Sequence, residues 1–389
     1  MIKIVTIFGT RPEAIKMAPV IKKISAYPCL KNITVITAQH RGMLDQVLEL
    51  FGIQPDYDLD LMHENQTLPM LHSRILSKLP MILQKEKPRL MLVQGDTTTA
   101  FASALAGYYE KIKIGHIEAG LRSGNKYSPF PEEYHRKLID VLADFHFAPT
   151  VTAKMNLLRE GIPAKNIIVT GNTVIDTLLN FIDSKERHLI PGLEKVDWHK
   201  RIIILTSHRR ENFGRKIKEI FFAIQDAIRK FDDIELIFPV HANPQIRTIA
   251  YEIWQNQPNV NLIPPLQYKL FISLLQKAYL IITDSGGIQE EASVLGIPVF
   301  LIRDNTDRPE LINLGAARLI GTSYHKIYDS LSEFLAGASL PVKTAKNNYL
   351  YGDGNAAQRI VDGILYFFHR KNRPEDFHSQ DLIAYNITR

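Results

Sequence analysis

Residues 3–16 have the sequence KIVTIFGTRPEAIK, which joins a β-branched apolar run to a glycine turn and a helical start. The run from Lys3 to Phe8 predicts a strand, because short β-branched segments bounded by turn residues favour extended chain. Gly9 allows a tight turn, and Pro12 suits the first turn of a helix. The stretch therefore predicts a strand–turn–helix unit of a parallel α/β sheet.

The same pattern recurs along most of the chain. In the first half it predicts strands at about 3–8, 33–38, 89–94, 112–117 and 145–148. In the second half it predicts strands at about 202–206, 235–240, 261–263, 280–283 and 299–302. The fold class is therefore α/β, with two Rossmann-like, doubly wound domains and a cleft between them, because such sheets bind ligands at the carboxyl ends of their strands.

The predicted boundaries follow changes in this pattern. An N-terminal domain is predicted over residues 1–180 and a C-terminal domain over 181–355. The stretch 183–200 is charged, contains Pro191-Gly192 and lacks helical periodicity, which is typical of a connection. A last helix within 356–372 is predicted to cross back to the first domain, and residues 373–389 are predicted to form a polar tail.

The composition is that of a large globular protein. The 389 residues are 45% hydrophobic and 23% charged, which is enough to build two cores. Lysine and arginine number 47 against 41 acidic residues and are spread along the chain, which predicts a local anion site rather than a nucleic-acid interface. Cys29 is the single cysteine, as expected for a reducing cytoplasm. No secretory signal, membrane span or metal site is predicted.

The first turn could bind an anion. A helix N-terminus after Gly9 offers backbone N–H groups, and Arg11 and Lys16 add positive charge. The segment lacks the Gly-Lys-Ser/Thr of a P-loop. An ordinary βα turn with exposed cations is an equally good interpretation of this segment alone.

A matching turn lies in the second half, at residues 282–291. Ser285 could cap the helix, and Gly286 and Gly287 would let a diphosphate approach the backbone N–H groups. Glu291 lies one turn further on, where a carboxylate could reach ribose hydroxyls. A capped helix with a capping-box carboxylate is the structural alternative. Arg308, beyond the next strand, supplies a further cation.

Three carboxylates stand where catalytic groups collect in parallel sheets, at strand ends or in the loops after them: Asp96, Glu118 and Glu132. Asp96 precedes a threonine-rich helix start, so it is equally a candidate N-cap. In the second half His208 and Arg209 follow a predicted strand. His208 could exchange a proton near neutral pH, although a histidine in that place is often structural.

These motifs, in this order, resemble the non-hydrolysing UDP-N-acetylglucosamine 2-epimerase family over residues 1–365. The segments that carry the resemblance are Gly9 to Glu13, Gln39 to Arg41, Gly95 to Thr99, Glu118 to Arg122, Pro131 to Glu133, His208 to Asn212 and Asp284 to Glu291.

The resemblance implies a glycosyltransferase-B-like homodimer that interconverts UDP-N-acetylglucosamine and UDP-N-acetylmannosamine through elimination and re-addition of UDP, without a cofactor. The implied catalytic residues are Asp96, Glu118, Glu132 and His208, with the base at carbon 2 left open. The implied substrate-binding residues are Arg11, Lys16, Arg136, Phe271, Ser285, Gly286, Gly287, Glu291 and Arg308. Phe271 would stack on uracil, although its apolar neighbours fit a core position equally well.

The resemblance also implies that a second UDP-N-acetylglucosamine can bind as an activator. The matching positions are Gln39, Arg74, Arg209 and His241. Gly42 stands where the family usually has glutamine or glutamate, and His135 where it has asparagine.

Three other functions fit the same inventory: a hydrolysing epimerase that releases free N-acetylmannosamine, a UDP-sugar glycosyltransferase and a nucleotide-sugar-binding protein without turnover. The inward carboxylates of the first half favour acid/base chemistry over glycosyl transfer.

Overall fold

The computed structural model describes residues 1–38, 41–61, 66–182, 190–209, 212–338 and 349–379. The chain divides into two compact units. The first comprises Met1–Asn180 together with Tyr351–Arg389, and the second comprises Phe181–Leu350. Each unit contains a parallel sheet with helices between its strands, so the predicted α/β class is confirmed.

The first unit has a seven-stranded parallel sheet in the order β3-β2-β1-β4-β5-β6-β7. Its strands are β1 (Ile2–Phe8), β2 (Leu30–Ile36), β3 (Tyr57–Asp58), β4 (Leu90–Gln94), β5 (Lys113–Ile117), β6 (Phe145–Ala148) and β7 (Ile167–Val169). Its helices are α1 (Arg11–Ser25), α2 (Arg41–Phe51), α3 (Leu68–Glu86), α4 (Thr98–Tyr109), α5 (Glu132–Leu142), α6 (Val151–Arg159), α7 (Thr173–Ile182) and the late helix α14 (Ala356–Phe367).

The second unit has a six-stranded parallel sheet in the order β10-β9-β8-β11-β12-β13. Its strands are β8 (Arg201–Thr206), β9 (Ile234–Pro239), β10 (Val260–Ile263), β11 (Leu280–Thr283), β12 (Val299–Leu301) and β13 (Ala317–Leu319). Its helices are α8 (Arg215–Ile228), α9 (Pro244–Trp254), α10 (Tyr268–Leu275), α11 (Gly286–Leu295), α12 (Pro309–Asn313) and α13 (Tyr324–Leu335). Phe221, Phe238 and Trp254 pack together in its core, where the Phe221 and Trp254 rings lie 4.4 Å apart.

The strand order places a topological switch point in each sheet. In the first unit the chain runs from β1 through β2 to β3 and then returns to β4 on the other side of β1. In the second unit the chain runs from β8 through β9 to β10 and then returns to β11 on the other side of β8. The crevice at a switch point opens beyond the carboxyl ends of the two central strands. Candidate site residues are therefore expected in the turns after β1, β4, β8 and β11.

Three short strands were not predicted from the sequence pattern. They are β3, β7 and β13, each of three residues or fewer. A strand this short offers few alternating positions from which its period can be recognised, although β12, also three residues long, was predicted. The longer strands lie within a few residues of their predicted bounds.

Helix α14 and residues 373–379 pack within the first unit. Asp176 accepts hydrogen bonds from the N–H groups of Ala356 and Ala357 at the start of α14 (3.1 and 2.8 Å), and burial raises the pKa of this carboxyl to about 6. Residues 373–379, which composition predicted as the start of a polar tail, lie along β7. Phe377 is buried there, and Asp376 binds Lys154 (2.7 Å).

Candidate active site

The first turn is held by a buried glutamate. Thr10 is the N-cap of α1 and forms a capping box with Glu13. The Glu13 carboxylate accepts the N–H groups of Gly9 and Thr10 (3.0 and 2.8 Å) and, through its other oxygen, the hydroxyl of Thr97 (2.7 Å). A side chain at Gly9 would overlap the hydroxyl of Thr37. Glu13 therefore ties the turn after β1 to the turn after β4.

Glu118 forms a buried ion pair with Lys16. Both Lys16 Nζ and Gln94 Nε2 donate to the same Glu118 oxygen, the Gln94 bond being 2.7 Å long. Glu118 directly follows β5 and has φ +67°, a left-handed conformation that is strained for any residue with a Cβ. Backbone strain of this kind concentrates at functional sites, where surrounding contacts hold it in place.

Asp96 pairs with Arg136 of α5. Arg136 Nε donates to the Asp96 carboxylate (2.9 Å), and His135 contacts the Asp96 carbonyl oxygen through Nδ1 (3.0 Å). The alternative interpretation of Asp96 as an N-cap is wrong, because Thr97 caps α4 and its hydroxyl accepts the N–H of Ala100 (3.0 Å). The Asp96 side chain is thereby left to interact with Arg136.

Glu132 and Arg11 each begin a helix of the first unit, α5 and α1 respectively, and both are half-buried. An open pocket of about 730 Å³ in the same unit is bordered by Thr98, Pro131 and His135. Burial lowers the pKa of His135, which stacks on Phe101 with ring centroids 5.0 Å apart. His135 therefore connects this pocket to the Asp96 turn.

In the second unit Asp284 is hydrogen-bonded to several residues of the turn after β8. It is fully buried, lies directly after β11 and pairs with Nδ1 of His208 (2.8 Å). Its carboxylate also accepts the N–H groups of His208 and Arg209 (3.0 and 3.1 Å) and the hydroxyl of Ser207 (2.9 Å). Burial acts to raise the pKa of Asp284, but the charge and hydrogen bond of His208 and the Arg209 N–H outweigh it and hold that pKa below its usual range.

The glycine turn packs against Arg308. Ser285 occupies the N-cap position of α11 but its side chain makes no capping hydrogen bond, so the predicted cap is wrong. A Cβ at Gly286 would overlap the Arg308 guanidinium. Arg308 donates to Glu290 (2.7 Å) and Asp307 (2.8 Å), all three being buried. The structure thus places the Arg308 guanidinium directly behind the backbone of the turn.

Glu291 and Phe271 lie on neighbouring parts of the second unit. Glu291 accepts the hydroxyl of Tyr268 (2.7 Å), and both residues are buried. The Glu291 carboxylate is therefore held by Tyr268 at the start of α10. The alternative, in which Glu291 caps the backbone of its own helix in a capping box, does not describe this bond. Phe271 lies on the same helix and is half-buried rather than a core residue.

The four residues predicted for an activator are distributed over the chain. Arg74 lies on α3 in the first unit and donates to Gln66 (3.4 Å). Arg209 and His241 belong to the second unit, where the His241 ring lies 6.2 Å from that of His208. Gln39 lies outside the described residues. Gly42 is exposed on α2, with open space where a Cβ would stand.

Three residues of the site were not predicted from the sequence: Asp284, Gln94 and Tyr268. The sequence pattern could have indicated Asp284, since it follows a buried strand just as Asp96 does. Gln94 and Tyr268 carried no such signal, because their partners Glu118 and Glu291 are 24 and 23 residues away.

No helix within the described residues is long and apolar enough to cross a membrane. Within the same residues, no group of three or more His, Cys, Asp or Glu side chains is arranged to hold a metal ion.

Two parallel α/β units with carboxylates and cations gathered at the carboxyl ends of their strands define a two-domain, Rossmann-like enzyme. A family model described as UDP-N-acetylglucosamine 2-epimerase matches residues 22–365. The chain belongs to the UDP-N-acetylglucosamine 2-epimerase family, and the predicted resemblance and enzyme class are confirmed at that level.

Individual relatives agree with this assignment. A UDP-N-acetylglucosamine 2-epimerase of Bacillus subtilis strain 168 is 45% identical over 377 residues, which are 97% of this chain and 98% of the relative. The S. aureus MnaA structure with UDP is 43% identical, with TM-score 0.92 and coverage of 97% and 100%. The Neisseria meningitidis UDP-GlcNAc 2-epimerase structure bound to UDP-GlcNAc is 44% identical, with TM-score 0.90 and coverage of 94% and 100%.

Proposed function

We propose that the enzyme interconverts UDP-N-acetylglucosamine and UDP-N-acetylmannosamine by eliminating and re-adding UDP. A base removes the carbon 2 proton, and the electrons of that C–H bond form a double bond between carbons 1 and 2. The bond from carbon 1 to the diphosphate oxygen breaks, and its electron pair leaves with UDP. Carbon 2 is planar in the resulting 2-acetamidoglucal, so a proton can return on the other face while UDP adds back to carbon 1.

The observation that carries this proposal is the pair of cation-bound carboxylates after two adjacent strands. Asp96 follows β4 and is paired with Arg136, while Glu118 follows β5 and is paired with Lys16. A neighbouring cation stabilises the charged carboxylate, which is the form that accepts a proton. Glu132, at the start of α5, is the third acid/base group.

The second unit supplies the nucleotide side of the proposal. The backbone after Ser285, Gly286 and Gly287 would bind the diphosphate, with Arg308 behind it. The Tyr268-bound Glu291 would hold the ribose, and Phe271 would stack on uracil. His208, whose side chain is 43% exposed, is oriented by Asp284 through Nδ1, so its Nε2 would exchange a proton with the departing diphosphate.

Proton NMR in deuterated water tests the reaction. The enzyme is incubated with UDP-N-acetylglucosamine and no acceptor, and carbon 2 of the sugar is followed. Deuterium at carbon 2 together with UDP-N-acetylmannosamine is the expected result. Free N-acetylmannosamine with UDP would identify the hydrolysing reaction instead. An unchanged spectrum despite binding would contradict the proposal and leave a glycosyltransferase or a binding protein.

Arg308→Ala is expected to weaken UDP binding at least tenfold, because a buried charge-assisted contact contributes about 1.5–3 kcal/mol. Calorimetric titration with UDP measures the change. The substitution also leaves the buried Glu290 and Asp307 without this cation, so thermal unfolding is measured alongside. Exposed Arg318 pairs with Glu333 in the same unit, and Arg318→Ala serves as the control. Unchanged UDP affinity in folded Arg308→Ala would contradict the role.

We propose further that the enzyme is a homodimer formed through α3, α4 and α5. Exposed large apolar side chains concentrate there among the described residues: Met70, Met81, Tyr108, Tyr109, Tyr134, Leu138 and Val141. Concentrated exposed apolar surface usually marks an interaction site. A second copy is the partner that the resemblance implies.

Val141→Glu is expected to convert the dimer to a monomer, because it places a charge where the neighbouring copy would bury an apolar side chain. Val141 is 77% exposed, so the fold of one chain should tolerate the change. Size-exclusion chromatography with light scattering gives the mass. Met155→Glu, at an exposed position on α6, is the matched control. An unchanged dimer in the Val141 variant would place the interface elsewhere.

The second UDP-N-acetylglucosamine implied by the resemblance is also part of the proposal. Arg209 and His241 lie beside His208 in the second unit, so an activator bound there would act directly on a catalytic side chain. Initial rates that rise sigmoidally with UDP-N-acetylglucosamine concentration are expected. A hyperbolic rise would contradict activation.

A further inference from the structure

His116 is a fully buried imidazole with an acceptor at each ring nitrogen. Nδ1 lies 2.6 Å from a carboxylate oxygen of Asp140, and Nε2 lies 2.7 Å from the carbonyl oxygen of Gly95. His116 therefore bridges Asp140 and the Gly95 turn. The other carboxylate oxygen of Asp140 accepts a hydrogen bond from Arg122 (2.7 Å).

This pair joins the three elements that carry the three carboxylates. Gly95 directly precedes Asp96, and His116 lies on β5, two residues before Glu118. Asp140 lies on α5, two turns after Glu132 on the same helix. The hydrogen bonds therefore run from α5 through β5 to the end of β4.

The turn at Gly95 depends on this support. Gly95 has φ +68°, so the chain bends sharply just before Asp96. The N–H of Gly95 donates to the carbonyl of Ile117 (2.9 Å), and its carbonyl oxygen faces His116. Loss of the His116 bond would release one side of the bend that aims the Asp96 carboxylate. Displacements of about 1 Å at reacting groups cost about 10²-fold in rate.

We infer that His116 and Asp140 form a positioning pair that fixes Asp96, Glu118 and Glu132 relative to one another. This inference rests on the proposed function, because it gives those carboxylates the catalytic role. Neither His116 nor Asp140 touches the substrate in this scheme. Their effect is expected in kcat rather than in the affinity for UDP.

Substituting His116 with asparagine or glutamine tests its two hydrogen bonds separately. An asparagine amide at position 116 places its nitrogen where Nδ1 stands, so it can donate to Asp140 but not to Gly95. A glutamine amide reaches the place of Nε2, so it can donate to Gly95 but not to Asp140. Each variant keeps one of the two hydrogen bonds.

His116→Asn is expected to lower kcat about 10²-fold with KM changed less than about threefold, whereas His116→Gln retains kcat within about tenfold. Rates of carbon 2 deuterium incorporation at saturating substrate measure kcat, and thermal unfolding measures stability. Thr150→Val is the control. Thr150 is also buried, at the N-cap of α6, where its hydroxyl accepts the N–H of Ala153 (3.1 Å). This control removes one buried hydrogen bond away from Asp140 and Gly95, so kcat should stay within about twofold.

Equal kcat losses in His116→Asn and Thr150→Val, or in His116→Asn and His116→Gln, would overturn the inference. If His116→Asn does not fold, His116→Leu replaces it, because leucine fills a similar volume but has no donor for Asp140 or for the Gly95 carbonyl. Unchanged kcat in that variant would also overturn the pair. A wild-type enzyme without carbon 2 exchange would overturn both proposals. An active wild type with an equally active His116→Asn would overturn only this one.

Discussion

Asp96→Asn is expected to lower kcat for carbon 2 epimerisation by about 10³-fold, within the range for removal of a general acid or base. The amide is close in shape to the carboxylate but cannot accept the substrate proton. UDP affinity is expected to change less than about threefold, because the change removes chemistry rather than uniform binding. The proposed diphosphate-binding residues all belong to the second unit, whereas Asp96 belongs to the first.

The fold should survive this substitution. Arg136 is only 2% exposed, so complete loss of its partners would leave a buried charge. Glu133 lies 3.4 Å from the same guanidinium and continues to balance it. The amide oxygen that Asp96→Asn introduces can still accept one hydrogen bond from Arg136. Thermal unfolding is measured to confirm that the variant is folded under assay conditions.

Deuterium incorporation at carbon 2 and calorimetric titration with UDP separate the two effects of Asp96→Asn. Asp144→Asn is the control, since Asp144 also pairs with a cation in the first unit but lies at the surface beside Lys113. Its kcat should stay within about twofold. Parallel losses of UDP affinity and kcat in Asp96→Asn would show that Asp96 supports the fold or binding instead of the reaction.

The fold was predictable because its long strands and their turns are local features. Residues 3–16 contain the first strand, the turn and the helix start within one short segment. The strands that were not predicted show where local sequence patterns are insufficient. β13 has two exposed residues among its three, so no buried face is visible in its sequence. Its place in the sheet depends on β12, which lies beside it in space.

The site was predictable as a set of residues but not as pairs. Lys16 and Glu118 were each identified, yet 102 residues separate them, and only the parallel sheet brings their turns together. The same is true of Asp96 and Arg136, which are 40 residues apart. Arg308 was assigned to phosphate, and the structure adds that Glu290 and Asp307 hold it. Residue type predicts chemistry, whereas partner choice depends on packing.

Asp284→Asn is expected to lower the free energy of unfolding by about 1–3 kcal/mol, the usual cost of leaving a buried hydrogen-bond donor without its acceptor. The carboxylate accepts from His208, Arg209 and Ser207, and an amide would turn an N–H₂ group toward some of these donors. The kcat of the folded fraction should fall about 10²-fold or more, because His208 loses the partner that orients it. Denaturant unfolding and saturating-substrate rates measure the two effects.

Glu219→Gln is the control for losing a carboxylate charge without losing buried hydrogen bonds, since Glu219 pairs with Arg215 on the exposed side of α8. Its unfolding free energy should change less than about 0.5 kcal/mol. Normal stability in Asp284→Asn with low kcat would limit Asp284 to orienting His208. Normal kcat in folded Asp284→Asn would contradict that orienting role.

The pH dependence of stability provides the last check on Asp284. Because the pKa of its carboxyl is lower in the folded state, the charge contributes stability that is fully present above the unfolded pKa of about 3.9. That contribution is lost as the pH falls and the folded carboxylate becomes protonated. The difference in unfolding free energy between wild type and Asp284→Asn should therefore narrow below about pH 4. A difference that stays constant into acid would mean that hydrogen-bond geometry, rather than charge, makes Asp284 important to the second unit.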